Sequence, residues 1–249
     1  LMQRIALYDR LEIQLVRDED ITVTCPGLEL AAGEQNIVEK TARLFLQHVG
    51  SRQGVKISVI KKIPAAAGLG GGSSDAAAVL EALDDILGTG LPCAELRALG
   101  RRLGADVPFF LYKQTAWATG IGDRLEAWPG LPPVWLVLVN PGLAVSTASV
   151  FQNLGLTHHR SIAKLPRFPQ GISALVRLLH NDLEAVTCQH HPVVATIKNR
   201  LLASGAEGAL MSGSGPTVFG LFAERGRAER AAAAISRDTE WWVEVVSPL

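Results

Sequence analysis

Apolar positions along the chain change period at one place, and the other elements arrange themselves around it. From Gly54, Val55, Ile57 and Val59 alternate with Lys56 and Ser58, the period of a half-buried strand. From Ser74, Ala77, Leu80, Leu83 and Leu87 recur at helical spacing. Before this pair, Leu11–Leu15 and Ile21–Cys25 alternate as strands, and a turn at Arg17–Asp20 predicts that they pair antiparallel. Asn36 to Gly50 reads as a helix with Asn36 as its N-cap and Gly50 as its terminator. Ala94 to Leu103 reads as another helix, closed by Gly104.

Further on, residues 115–139 read as strands interrupted by Pro129-Gly-Leu-Pro-Pro133, where a domain boundary is expected. Helices follow from Ile172 and over 192–204. Leu210 and Val218–Phe222 flank a turn, Ala228–Ile235 is an Ala-rich helix, and Trp242–Val246 is a last strand. His158–Gly171 is polar and Pro-interrupted, so a mobile loop is expected there. No internal repeat or low-complexity tract is found.

The loop between the first strand–helix pair runs Pro64-Ala65-Ala66-Ala67-Gly68-Leu69-Gly70-Gly71-Gly72-Ser73-Ser74. Glycines let the backbone approach a ligand closely. A helix start offers unpaired N–H groups and the positive end of the helix dipole, so the combination suits a phosphate. A plain turn with Ser73 or Ser74 as N-cap is the competing reading. No Lys follows the glycines, as a P-loop requires. Gly68-x-Gly70-x-x-Ser73 only approximates a dinucleotide fingerprint, and Asp84 and Asp85 fall inside the helix.

Composition narrows the class. Of 249 residues, 48% are hydrophobic and 19% charged, with formal net charge +0, which fits a globular chain and gives no broad basic surface for nucleic acid. No apolar run approaches the length of a membrane span. Cys25, Cys93 and Cys188 are scattered and odd in number. They read as buried, unpaired thiols of a reducing compartment, and a cytoplasmic location is expected. The pairs His158-His159 and His190-His191 do not point one way on a helix, so no metal site is expected.

Asp106 lies in Gly104-Ala-Asp-Val-Pro-Phe-Phe110. Pro108 disfavours a helical Val107, which places Asp106 in a tight helix-to-strand connection, where Asp is ordinarily a turn residue.

The stretch Pro64–Ala77 resembles the second motif of the GHMP kinases. Its Gly-Gly-Gly-Ser-Ser form, together with Gly-Ala-Asp-Val-Pro-Phe, is nearest to the branch acting on 4-diphosphocytidyl-2-C-methyl-D-erythritol. That resemblance implies an α+β, two-domain GHMP kinase fold: an N-terminal ATP-binding domain, 1–130, with the phosphate loop at a helix N-terminus, and a smaller C-terminal α/β sandwich, 131–249. It implies two small-molecule partners, ATP with Mg2+ and the diphosphocytidyl alcohol, in an isoprenoid biosynthetic step. A monomer or weak homodimer is expected.

By the same resemblance, Pro64 to Ser74 hold the ATP phosphates, and Ser73 or Ser74 is a candidate Mg2+ contact. Asn36 lines the adenine pocket, Lys61 lies beside the nucleotide, and Asp106 is the general base. Thr147 and Phe151, in Pro141-Gly…Thr147-x-x-x-Phe151, sit at the cytidine. Gly213 and Gly215 belong to a third motif that packs on the phosphate loop, and Asn181-Asp-Leu-Glu184 matches a chiefly structural stretch.

The family's first motif, Pro-Ala-Lys-(Ile/Leu)-Asn-Leu, and its Asp-Gly-Tyr-His segment do not occur in the sequence, which starts Leu1-Met2. The resemblance places a catalytic Lys there, so a preceding segment is one expectation. A binding module without activity is the other. A GHMP kinase for another small alcohol, of homoserine or mevalonate type, is a further alternative.

Overall fold

The computed structural model describes residues 1–27, 35–154 and 170–249. Residues 158–169 of the expected mobile loop lie outside the described residues. The chain divides into two compact units, Leu1–Ala65 with Gly70–Trp128, and Ala66–Leu69 with Pro129–Leu249.

The first unit contains β1 (Arg10–Val16), β2 (Ile21–Thr24), α1 (Ile37–His48), β3 (Gly54–Ile60), α2 (Gly71–Leu87), α3 (Cys93–Leu103), α4 (Val107–Tyr112), β4 (Ala116–Thr119) and β5 (Arg124–Ala127). β1 and β2 are not a hairpin, contrary to the sequence expectation. β3 lies between them, antiparallel to β1 from Arg10↔Ile60 to Val16↔Gly54, and parallel to β2 from Ile21↔Val55. The burial of β3 explains this. Val55, Ile57 and Val59 are essentially inaccessible, so its backbone groups need strand partners on both sides. α1, α2, α3 and α4 pack against one another beside the sheet, around Val38, Phe45, Ile57, Leu80, Leu83 and Val107.

Two local expectations change. α2 begins at Gly71, not Ser74, because Gly70 adopts a left-handed conformation and is itself the N-cap. Neither serine caps the helix. The segment after Asp106 is a short helix, α4, with Asp106 at its N-cap. Proline needs no N–H in a first helical turn, so Pro108 starts this helix rather than preventing it. Cys93 is exposed, whereas Cys25 and Cys188 are half-buried, so the buried-thiol expectation fails at Cys93.

The second unit contains β6 (Trp135–Asn140), α5 (Thr147–Asn153), α6 (Ile172–Val176), α7 (Asp182–His190), α8 (Val193–Ala203), β7 (Gly208–Met211), β8 (Val218–Phe222), α9 (Arg225–Asp238) and β9 (Trp242–Val246). Its antiparallel sheet has the order β7-β8-β6-β9. α8 packs on β7 and β8, and α9 on β6, β8 and β9. Val137, Val139, Ile197, Leu201, Met211, Phe222 and Ile235 close the core. β7 and β8 form the expected hairpin, and their turn carries Gly213 and Gly215. No helix among the described residues is long and apolar enough to cross a membrane.

Candidate active site

The glycine-rich loop from Pro64 to Ser74 is held differently at its tip and at its flanks. The tip, Ala66–Leu69, groups with the second unit. The Ser212 hydroxyl donates to the Gly68 carbonyl at 2.8 Å, and the Thr217 N–H donates to the Ala67 carbonyl at 3.3 Å. Gly68 has φ +72°, and a Cβ there would lie 2.2 Å from the Ser212 carbonyl oxygen. Only glycine fits.

The Ser212–Thr217 turn is itself braced within this unit. Asn181 caps α7 by accepting from the Leu183 N–H and also donates to the Met211 and Gly213 carbonyls. Thr187 donates to the Ser214 carbonyl at 3.1 Å, and Asn140 donates to the Thr217 hydroxyl at 2.9 Å. The hydroxyls of Thr147 and Ser214 lie 2.8 Å apart.

The flanks, Pro64–Ala65 and Gly70–Ser74, belong to the first unit. No side chain caps the start of α2, so its first-turn N–H groups stay available to an anion. The Ser74 hydroxyl turns back to the Gly71 carbonyl at 2.8 Å. The Ser73 hydroxyl has no hydrogen bond among the described residues, and a Cβ on Gly104 would lie 3.9 Å from it. Gly104 is two residues before Asp106. The Phe110 ring covers Gly70, 3.0 Å from where a Cβ would be, and so docks α4 against the α2 start.

Asp106 is exposed and its carboxylate makes no hydrogen bond or ion pair among the described residues, yet the surrounding protein desolvates it enough to push its pKa up. A carboxylate without a partner near a helix start can accept a proton from a bound hydroxyl.

Lys61 ends the approach to the loop, but its ammonium is not free. It donates to Asp9 and, at 2.8 Å, to Asp75. The side chains are 17% (Lys61), 1% (Asp9) and 6% (Asp75) exposed. Burial pushes Asp75 up to about 6 against the pull of Lys61. Burial by itself would lower Lys61, but its hydrogen bonds to Asp75 and Asp9 and their charges outweigh that, and its pKa is raised.

Asn36 caps α1, accepting from the Val38 N–H at 2.9 Å. Its neighbour Ile37 packs on Gly72, 3.5 Å from a Cβ placed there, so α1 begins against the start of α2. In the first unit, Lys61 and Ser73 therefore lie at the start of α2, while Asn36 and Asp106 stand on segments whose Ile37 and Gly104 touch it. Thr147 and Phe151 lie on α5 in the second unit, and Phe151 is 55% exposed, which excludes an ordinary core role. Among the described residues there is no metal-ligating cluster of His, Cys, Asp and Glu.

Sequence reading missed Asp9, Asp75, Ser212 and Thr217. Asp9 and Asp75 carried no signal, because their shared partner Lys61 is 52 and 14 residues away.

Comparison with known proteins fixes the class. Residues 36–114 match the GHMP kinases N terminal domain, and residues 162–239 match the GHMP kinases C terminal domain. The fold and the uncapped helix start after a glycine loop are those of a small-molecule kinase. A protein of Syntrophotalea carbinolica named 4-diphosphocytidyl-2-C-methyl-D-erythritol kinase is 53% identical over 249 residues, covering 100% of this chain and 89% of the relative. One of the same name from Pelobacter propionicus is 48% identical, again covering 100% of this chain and 89% of the relative. A crystal structure of 4-(cytidine 5'-diphospho)-2C-methyl-D-erythritol kinase superposes with TM-score 0.77 at 35% identity, over 98% of this chain and 87% of that one. A homoserine kinase from Cytophaga hutchinsonii shares the fold, with TM-score 0.72 at 21% identity, over 98% of this chain and 87% of that one. The chain belongs to the 4-diphosphocytidyl-2-C-methyl-D-erythritol kinase family of the GHMP kinases.

Proposed function

We propose that the protein transfers the γ-phosphoryl group of ATP to the 2-hydroxyl of 4-diphosphocytidyl-2-C-methyl-D-erythritol. The observation that carries the chemistry is the open carboxylate of Asp106, on a segment whose Gly104 and Phe110 pack against the uncapped start of α2. Phosphoryl transfer needs little covalent help from the protein. It needs positioning, charge neutralisation and an oriented nucleophile.

The N–H groups of Gly71, Gly72 and Ser73 suit the ATP phosphates, with the loop Pro64 to Leu69 shaping the backbone around them. Asn36, at the cap of the helix whose Ile37 touches the α2 start, suits the adenine side. Asp106 accepts the proton of the substrate hydroxyl or orients it. Its raised pKa makes it a somewhat stronger base than an ordinary carboxylate.

Mg2+ fits this reading through its phosphates. The ion takes most of its ligands from phosphate and water, and the free Ser73 hydroxyl is the protein oxygen suited to join them. When bound, it neutralises charge on the phosphates.

Thr147 and the exposed ring of Phe151 suit the cytidine end, the ring by stacking on the base. The match to relatives that bear the diphosphocytidyl-methylerythritol kinase name favours this alcohol over homoserine or mevalonate.

The test is ADP release with MgATP and a panel of alcohols. Turnover with the diphosphocytidyl alcohol at least a hundredfold above homoserine and mevalonate is expected. A preference for either of the others overturns the substrate. ATP binding without ADP release from any alcohol favours a binding module.

A further inference from the structure

The Asp9–Lys61–Asp75 cluster is largely buried and costly to bury. Charged groups leave water at a cost that their mutual attraction repays only with good geometry, and an apolar replacement is often as stable. Here the geometry serves the ends of one loop. Asp9, just before β1, gives one carboxylate oxygen to the N–H groups of Lys62 (2.6 Å) and Ile63 (2.9 Å), and the other to Lys61. One side chain thereby fixes the three residues that lead into Pro64. Lys61 then reaches across to Asp75, one turn inside α2. The incoming and outgoing ends also touch directly, since a Cβ on Gly71 would lie 2.9 Å from Ile63 Cγ2 and 3.3 Å from Lys61 Nζ. The half-buried Cys25 thiol, just after β2, feels all three charges, and burial raises its pKa.

We propose that Asp9 is a positioning residue for the nucleotide: through Lys61 and Asp75 it clamps the two ends of the phosphate loop, so that the first-turn N–H groups of α2 are aimed before an anion arrives. Lys61 works inside this clamp and does not offer a free ammonium to a phosphate. Two carboxylates and one ammonium leave an excess negative charge, which would repel an anion if the cluster were a direct contact.

This rests on the nucleotide half of the proposed function, and the test separates the two. The MgATP dissociation constant is measured by calorimetry on the full chain, with kcat and the KM of the alcohol measured alongside. Asp9→Asn keeps the shape but loses the charge. It should weaken MgATP binding about tenfold while changing the alcohol KM less than twofold. Asp75→Asn, which loosens only the outgoing end, should weaken MgATP about threefold to fivefold, and it decides alone if Asp9→Asn does not fold.

Unchanged MgATP binding in folded variants overturns the clamp. An equal rise in the dissociation constant and the alcohol KM also overturns it, because general loosening explains that result. If the wild-type chain binds MgATP but phosphorylates no alcohol, the proposed function fails while the binding comparison still decides the clamp.

Discussion

Two carboxylates of the first unit, Asp75 and Asp106, have their pKa pushed in the same direction by the same cause, and their surroundings differ in every other respect. Asp75 is 4% exposed and bonded to an ammonium that also serves Asp9. Asp106 is exposed and has no partner among the described residues. Desolvation raises a carboxyl wherever protein crowds it, so the shift does not mark function. The partner does. A carboxylate whose lone pairs are spent on a buried cation holds structure, and one left open can take a proton.

The largest effect expected from that contrast is on turnover. Asp106→Asn should lower kcat about 10²- to 10⁴-fold, the usual worth of a positioned base, with the MgATP dissociation constant within twofold and the melting temperature unchanged or higher. Parallel loss of nucleotide affinity would move Asp106 to the structural side of the comparison.

Next in size is the loss of the cation from the paired site. Lys61→Met leaves two buried carboxylates facing each other and should cost about 3–5 kcal/mol in urea unfolding at pH 8. A cost under about 1 kcal/mol would mean that the cluster relaxes into water and that its burial decides nothing.

The smallest effect separates the sites by pH. Asp75 titrates at about 6 in the folded protein, against 3.8 for the free side chain. Because its folded pKa is raised, its contribution to stability is fully present below about pH 4 and is lost as pH rises to about 6. The wild type should lose about 1–3 kcal/mol over that interval relative to Asp75→Asn, and parallel curves would contradict the shift.

The parts of this picture that were legible in the sequence depend on neighbours along the chain. The alternation of Val55, Ile57 and Val59 and the helical spacing of Ala77 to Leu87 specify β3 and α2 locally, and Asn36 caps within two residues. The glycines at 68–72 mark the loop by composition alone.

The errors came where distant residues decide. β1 and β2 look like a hairpin until β3 claims the space between them. Pro108 suits either a strand start or a first helical turn, and packing of Phe110 over Gly70 favours the helix. Asp9 carries no motif at all. Its role exists only because β1 lies antiparallel to β3 and brings it to the end of that strand.

The insertion of β3 between β1 and β2 also bears on how the chain acquires its structure. During synthesis, residues 10–24 emerge with both outer strands, but the strand that joins them arrives only with residues 54–60. Neither outer strand can complete its pairing before then, and the join closes loops of some thirty to fifty residues. Such non-local pairing slows folding. A nascent chain halted before Gly54 would expose two unpaired strands, each with one apolar face, the kind of intermediate that associates with other chains or occupies a chaperone.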